Sequence, residues 1–591
     1  MLLRSLSTPT RPSRRALPWW MLPMLLVLAL APPLAAQADD DADANEGLEG
    51  LFIDVVDVNV VNVDVYVTDK KGNPITGLTK DDFVLHQDGR PVAISNFYAV
   101  ESGRASRANT EQPALVEVPE APVDPRLKQD ERPEEQRLHL VIYIDNFNIH
   151  PFSRNRVFGF IRSFLRQNIQ EGDRVMLYSY DRSLKMRHPF TGDPELIASS
   201  LYELEEVSGW AVHRDSDRKD ILDAVYEAED QYEVQGRART YAENLYNDLS
   251  FSITALKDMV DQLAGLPGRK AVLYVSDGLA MRAGEDIYQA MQDRFRSTSL
   301  TMEAYRYDLT RDYQQLTQRA NAHRVTFYTV DAQGLRTYSY VDVSNQTPGG
   351  GAFIDQVHFQ NLQGPLQLIA EETGGMAIIN TNNFNPMFER IARDFDTYYS
   401  LGYTPASEGS GRYRRLEVKL AEKQRGIRIR HREGYRDKPV ETRMAESTMA
   451  ALHHGYQRND AGVMIEFGSE QPGTNGHFEV PMRVRVPIRW IQFLPREASH
   501  LARLRLFIAA RDTEGRLSPV QDVRLPIDIP SNAIGEIQDR YYDYQITLQM
   551  RRGSQSVAVG VRDEIGAETA FVTRGVTIGP AGSGRRARAG R

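Results

Sequence analysis

Three apolar segments of this chain each run into an aspartate, Asp145, Asp277 or Asp331. The segments cover residues 140–145, 271–277 and 325–331. Unbroken apolar runs of this length are typical of strands that are buried on both faces of a parallel sheet. In such a sheet the carboxyl ends of the strands line the ligand crevice. Three acids at those ends predict a site for a divalent cation or for a basic partner.

The composition is that of a globular protein that contains no cysteine. The chain has 591 residues, which is too long for a single hydrophobic core. Cysteine is absent, and this excludes disulfides, thiolate catalysis and thiolate zinc sites. The sequence also contains no Gly-x-Ser-x-Gly elbow, no phosphate-binding glycine loop after a strand and no His-Glu-x-x-His motif.

The first 38 residues have the pattern of an export signal. Basic residues precede an apolar stretch over 19–31, and Ala36-Gln37-Ala38 forms a small-residue cleavage site. Cleavage removes four arginines and no acidic residue, so the formal net charge changes from -9 to -13. We expect a periplasmic or secreted protein without a stable membrane span, although a retained anchor stays open. A net acidic product is not expected to bind nucleic acid.

The remaining chain divides by pattern into a central α/β region with β modules on each side. The predicted segments are an acidic disordered stretch (39–49), an N-terminal β-sandwich (50–100), a linker (101–136), an α/β domain (137–405), a β-strand extension (406–440), a C-terminal β-sandwich (455–580) and a basic tail (581–591). Strand–helix alternation over 137–405 predicts a doubly wound, mostly parallel sheet.

Two local patterns within these segments give further predictions. The pattern from about residue 219 to 263 predicts a helical stretch. Residues 412–436 contain ten Lys or Arg and three Glu, a local excess of seven positive charges. We interpret this excess as a solvated outer strand face that resists edge pairing, with a binding patch as the alternative.

Short motifs at strand ends and turns follow one another through the α/β region. They are Asp145, Gly172-Asp173-Arg174-Val175, Phe190-Thr191-Gly192-Asp193, Ser276-Asp277-Gly278 and Gly374-Gly375. In this order they resemble a von Willebrand factor type A domain. Two flanking elements, residues 78–89 and the strands at 399–403 and 432–435, are similar to the bacterial secreted VWFA-related proteins. The resemblance covers about residues 50–436 and leaves the C-terminal sandwich outside it.

The resemblance implies where a magnesium ion would lie. The family motif is Asp-x-Ser-x-Ser, followed by a threonine from a second loop and an aspartate after the fourth strand. This chain keeps Asp145 and Asp277, but Phe147 and Ile149 occupy the serine positions. Neither side chain ligates a cation, and residues 209–214 offer no clear threonine. The resemblance therefore implies at most a degenerate site.

Nearby polar residues offer substitute oxygens for such a site. The candidate metal ligands are Asp145, Asn148, Ser153 and Asp277, and Asn146 is a further oxygen donor. The alternative is that the aspartates organise their loops by accepting backbone N–H bonds. We favour this second interpretation and expect no resident cofactor, while magnesium remains open. Asp331 matches no family ligand, and residues 331–334 predict a turn.

These observations favour a non-catalytic, exported scaffold that binds another protein through the crevice above Asp145 and Asp277. One alternative is an extracytoplasmic hydrolase, or a subunit of one, that uses the carboxylates for acid–base or metal-assisted chemistry. Another is a protein that binds carbohydrate or a surface through the C-terminal sandwich.

Overall fold

A computed structural model describes residues 60–101, 104–106, 137–336, 351–405, 409–422 and 424–579. The predicted signal peptide, the acidic segment and the basic tail lie outside these residues, as does most of the linker. Among the residues described, no helix is long and apolar enough to cross a membrane.

The first described elements are short strands and one 3₁₀ turn. They are β1 (Val61–Thr68), the 3₁₀ turn Lys80–Asp82, β2 (Phe83–Gln87), β3 (Arg90–Val92), β4 (Asn96–Glu101) and β5 (Arg104–Ser106). Strand β5 pairs with β4 and lies inside the range predicted as a linker.

An α/β region follows, in which strands and helices alternate. Its elements are β6 (Leu138–Asp145), α1 (Pro151–Asn168), β7 (Arg174–Tyr180), β8 (Leu184–Thr191), α2 (Pro194–Glu205), α3 (Ala211–Glu227), α4 (Gln231–Gln262), β9 (Arg269–Ser276), α5 (Glu285–Phe295), α6 (Ser299–Ala304), the 3₁₀ turn Tyr305–Tyr307, α7 (Thr310–Ala322), β10 (Val325–Asp331), α8 (Gly351–Glu372), β11 (Ala377–Ile378) and α9 (Asn385–Asp396).

The strands of this region form one mostly parallel sheet, as the sequence predicts. The strand order is β11-β10-β9-β6-β7-β8, and β8 alone runs antiparallel to its neighbour. Alternate residues of β6 face opposite sides. Leu140 and Ile142 pack in a cluster with α1, α2 and α9, whereas Val141 and Tyr143 pack in a cluster with α4, α5, α7 and α8. Helices therefore cover both faces of the sheet.

The strands after the α/β region complete the sheets that begin before it. They are β12 (Tyr398–Tyr403), β13 (Tyr413–Leu420), β14 (Arg428–His431) and β15 (Gly434–Arg436). One sheet has the order β14-β1-β12-β4-β5 and the other the order β15-β13-β2-β3. Both contribute to a single core that includes Val63, Leu85, Leu401 and Val418. The α/β region is thus inserted into one two-sheet β module.

The final elements form a second pair of antiparallel sheets behind a helix. They are α10 (Val440–His454), β16 (Met464–Phe467), β17 (Gln471–Pro472), β18 (Phe478–Pro487), the 3₁₀ turn Ile488–Trp490, β19 (Leu494–Pro495), β20 (Ser499–Arg511), β21 (Gln521–Pro530), α11 (Ile534–Ile537), β22 (Tyr541–Met550), β23 (Gly553–Asp563) and β24 (Thr569–Ile578). Strand β18 pairs with β16, β17 and β22, while the second sheet has the order β19-β20-β23-β24 with β21 on β20. Met444 and Leu452 of α10 pack against Phe507 and Ala558 on the second sheet.

The structure adds detail to two local predictions. The helical stretch predicted over about 219–263 lies in two helices, and the Asp230 side chain starts the second, α4, by accepting the backbone N–H groups of Tyr232 at 2.8 Å and Glu233 at 3.3 Å. The basic strand face is exposed at Arg412, Arg415, Lys419, Arg425, Arg428 and Arg436, whereas Arg430 and Arg432 are not exposed. Arg430 donates to Asp394 Oδ1 at 2.7 Å, and Arg432 is only 8% exposed. Both arginines face the α/β region.

Candidate functional site

Asp145 ends β6 and holds together the loop that follows. Its side chain is buried, and Oδ2 accepts hydrogen bonds from Tyr274 Oη at 2.5 Å and from Asn148 Nδ2 at 2.7 Å. Oδ1 accepts the backbone N–H of Asn148 at 3.2 Å. Burial raises the pKa of Asp145, and the hydrogen bonds from Tyr274 and Asn148 oppose that shift. The carboxylate oxygens are therefore already occupied by the protein.

Asn148 is held on every side by protein groups. Its Oδ1 accepts from Arg214 Nη1 at 2.5 Å, and its Nδ2 also donates to Ser252 Oγ at 3.1 Å. Arg214 lies on α3 and donates through Nη2 to the Phe147 carbonyl at 3.0 Å. The guanidinium thus supplies positive charge close to Asp145, where it opposes the rise in that group's pKa.

Asp277 follows β9 and binds a histidine. Its Oδ2 accepts the backbone N–H of His150 at 2.8 Å and lies 2.5 Å from His150 Nδ1. The opposite ring nitrogen, Nε2, lies 2.9 Å from Asp215 Oδ2 on α3. Hydrogen bonds to Asp215 and Asp277 raise the pKa of His150 to about 9. The ring is therefore an imidazolium at neutral pH, placed between two carboxylates.

Asp331, the third strand-end acid, has an internal cation as well. Its buried carboxylate accepts from Arg336 Nε at 3.2 Å and from Gln363 Nε2 at 2.9 Å. The backbone N–H of Gly334 donates to the Asp331 carbonyl at 3.2 Å, and this confirms the predicted turn. The remaining candidate, Ser153, is buried in the first turn of α1 and does not line the cavity described below.

The residues at this edge do not fit a magnesium ion. Phe147 and Ile149 are buried apolar side chains at the positions where the type A motif supplies hydroxyls. Asp145 and Asn148 already bind one another, and the His150 ring places a positive charge on Asp277. Within the described ranges, no group of three or more His, Asp or Glu side chains is arranged to hold a metal ion.

A cavity of about 410 Å³ opens beside these strand ends. Its lining comes from the loops after β6, β9 and β10 and from helices α3, α4, α5 and α8, and includes Asn148, His150, Arg214, Asp215, Arg218, Lys219, Tyr226, Tyr241, Leu245, Asp277, Asp286, Arg336, Ile354 and His358. Much of this charge is paired internally. Arg218 Nε donates to Asp286 Oδ2 at 2.5 Å, and His358 Nδ1 lies 3.2 Å from the same oxygen. Burial raises the pKa of Asp286, but Arg218 and His358 outweigh that effect and hold the pKa well below its usual range.

Four large apolar side chains are exposed on the segments that line the cavity. Phe152 is 81% exposed, Leu335 61%, Val212 56% and Phe353 52%. Each lies one or two residues from a side chain that lines the cavity, such as His150 for Phe152. We call these four residues the apolar rim. Exposed apolar side chains close in sequence to a cavity lining are one feature that protein-binding surfaces have.

Sequence reasoning missed the groups that neutralise the strand-end acids. The cations involved are His150, Arg214 and Arg336, and Asp215 holds the far side of the His150 ring; none of the four belongs to the family motif. The available signal was indirect. Two carboxylates left without metal ligands require a protein cation nearby, and His150 follows Asp145 by five positions.

Comparisons with known proteins add a weak likeness of fold. No family model matches the chain, and no curated protein matches it. Similar solved structures include an aerotolerance-related membrane protein from Bacteroides fragilis (12% identity, 44% of this chain, 98% of that chain, TM-score 0.22). They also include BatB from Bacteroides thetaiotaomicron (12% identity, 44% of this chain, 96% of that chain, TM-score 0.21). A third is the vWF domain of the type V pili tip protein Mfa5 from Porphyromonas gingivalis (12% identity, 44% of this chain, 94% of that chain, TM-score 0.22). TM-scores this low carry no argument about function.

Proposed function

We propose that this chain is an exported, non-catalytic scaffold that binds another protein through the cavity and the apolar rim at the carboxyl edge of its parallel sheet. The observation that carries the proposal is the pairing of a cavity of about 410 Å³ with exposed apolar side chains on the segments that line it. A cavity of this size accepts one or two anchoring side chains of a partner, and the rim adds buried apolar area.

The charges at this edge favour binding over catalysis. Asp145, Asp277 and Asp331 each bind an internal donor or cation, so none is placed as a free base or nucleophile. General acid–base chemistry needs a titratable group within reach of a substrate proton. Here His150, one of the titratable groups that line the cavity, is held between Asp277 and Asp215.

An affinity-capture experiment tests the proposal. The full chain is immobilised and exposed to an envelope extract, with Phe152→Ser as the rim variant. Phe251→Ser is the matched control, because Phe251 is 66% exposed on α4 and lies outside the cavity lining. We expect Phe152→Ser to reduce capture of the specific partner at least about tenfold, as for removal of an interface anchor. Phe251→Ser should leave capture unchanged, as should EDTA.

Two results would overturn the proposal. Equal loss of capture in both variants would show that the surface binds only through non-specific hydrophobic contacts. Turnover of a hydrolase substrate by the purified chain, lost in Asp145→Ala, would support the enzyme alternative instead.

A further inference from the structure

The amino-terminal edge of the same sheet carries a group of cationic side chains. Arg324 lies between α7 and β10, where its backbone has φ of 57° and its side chain is open to solvent. The next residue, Val325, pairs with Lys270 at the start of β9. In the part of the chain that the structure describes, no carboxylate lies within ion-pair distance of the Arg324 guanidinium.

The β module approaches Arg324 from one side. Asn321 Nδ2, at the end of α7, donates to the Glu372 carbonyl and to Tyr413 Oη, each at 3.1 Å. The backbone N–H of Glu433 donates to the same Glu372 carbonyl at 3.0 Å. These bonds bring Arg432, the residue before Glu433, to the end of α7.

The segment leading into α10 approaches from the other side. Lys438 Nζ lies 2.8 Å from Nδ1 of His323, the residue before Arg324. Three separate parts of the chain therefore place a cationic residue near the end of α7. We call Arg324, Arg432 and Lys438 the junction cations.

The charge of Arg324 affects the pKa of its cationic neighbours. Burial and the charge of Arg324 lower the pKa of Arg432 to about 10. Burial lowers the pKa of Lys438, and Arg324 adds to that shift while Glu446 opposes it. Burial also lowers the pKa of Lys270 well below its usual value, again with a contribution from Arg324.

Asp64 and Glu446 act on the junction cations without forming an ion pair with either arginine. Asp64 acts on both junction arginines, yet its Oδ2 lies 3.6 Å from Arg269 Nε. Glu446 binds Lys438 Nζ at 2.8 Å. Arg432 donates through Nη2 to the Asn62 carbonyl, while its buried Nε has no partner within the described ranges. Neither Arg324 nor Arg432 therefore has a carboxylate within ion-pair distance in the described part of the chain.

We propose that the junction cations form a binding site for a small oxyanion of the phosphate or sulfate type, with Arg324 and Arg432 as the principal donors. A guanidinium presents a planar fork of N–H groups that matches two oxygens of such an anion. The anion would relieve repulsion among the junction cations and bridge the α/β region, the β module and the segment before α10. The site lies at the opposite end of the sheet from the cavity, so it is independent of the proposed protein-binding surface.

A phosphate titration of the full chain tests this site. Inorganic phosphate is added up to about 10 mM with sodium chloride at matched ionic strength as the reference, and binding is followed by thermal unfolding and calorimetry. We expect phosphate to raise the Tm by about 2 °C or more, because a ligand that binds only the native state stabilises it.

Arginine variants test whether the junction cations bind the phosphate. Arg324→Asn removes the central charge, and asparagine tolerates the positive φ. Arg296→Asn is the matched control, since Arg296 is also an exposed arginine with φ of 56° and lies at the end of α5. We expect the phosphate-dependent shift to disappear in Arg324→Asn and to persist in Arg296→Asn, with both variants giving the wild-type circular dichroism spectrum.

Other results would overturn the proposal. They are a wild-type shift no larger than that in chloride, an equal loss in both variants, and a full shift retained in Arg324→Asn. Should Arg324→Asn fail to fold, Arg324→Lys serves in its place, because it keeps the charge but loses the fork and should weaken phosphate binding several-fold. Unchanged binding in that variant would equally contradict the site.

Discussion

His150 Nδ1 lies 2.5 Å from Asp277 Oδ2, and the backbone N–H of His150 donates to the same oxygen at 2.8 Å. The two residues come from loops that follow different strands of the parallel sheet. The far side of the ring lies 2.9 Å from Asp215 Oδ2, so one imidazolium neutralises the strand-end acid and links it to α3. In the family that this chain resembles, the corresponding acid serves a magnesium ion.

We expect divalent cations to stabilise the wild-type chain very little. Magnesium or manganese at about 5 mM should change the Tm by less than about 1 °C, because binding would have to displace the His150 ring. In His150→Ala, Asp277 and Asp215 lose their cation, and we expect manganese to raise the Tm more than in the wild type. Differential scanning fluorimetry provides the measurement. A rise of several degrees in the wild type that Asp277→Ala abolishes would show a functional cation site.

The His150 pair also predicts a loss of stability at alkaline pH. Its folded-state pKa of about 9 lies above the ordinary value of 6.5. The stabilising contribution is therefore fully present below about pH 6.5 and is lost as the pH rises through 9. Urea unfolding at about pH 6 and 9.5 should differ by on the order of 2 kcal/mol from this group. His150→Gln should lack that difference, whereas His213→Gln, an exposed position on α3, should retain it. An equal change in the free energy of unfolding between the two pH values in both variants would contradict the pairing of His150 with Asp277 and Asp215.

Asp145 should prove a structural residue whether or not a metal is present. In Asp145→Ala the Tyr274 hydroxyl and the Asn148 amide lose their acceptor, and we expect the free energy of unfolding to fall by about 2–4 kcal/mol. The same loss should occur in EDTA and in magnesium, as measured by urea unfolding. Asp223→Ala, an exposed acid in the cavity lining, is the control and should change little. A loss confined to magnesium buffer would instead assign Asp145 to a cation.

Gly265 should be required for the packing of α10 on the α/β region. It has φ of 76°, and an added Cβ would clash with the backbone of Glu446. We expect Gly265→Ala to lower the free energy of unfolding by about 2–4 kcal/mol through backbone strain and overpacking. Gly77 has a similar φ of 79° but open space around it, so Gly77→Ala should cost about 1 kcal/mol from strain alone. Equal costs in chemical denaturation would show that the α10 contact is not tight.

Several features of the fold were predictable because they depend on short stretches of sequence. Leu138–Asp145 and Val325–Asp331 form strands where the apolar runs predict them, since a strand buried on both faces needs apolar residues at consecutive positions. The turn after Asp331 was predictable as well, because it depends only on neighbouring residues. The start of α4 was missed, because a single capping aspartate with no glycine or proline nearby interrupts an otherwise helical pattern.

The sequence by itself determined that strands of a parallel sheet end in acids, because hydrophobic runs and their boundaries are local properties of the chain. Only the tertiary structure decided which groups face those acids. Asp215 lies 65 positions from His150, and Arg214 reaches Asn148 across a similar separation. It also decided that the basic residues Arg430 and Arg432 turn toward the α/β region, because β14 pairs with β1 from the opposite end of the module. Such pairings join distant segments, and no local pattern of residues specifies them.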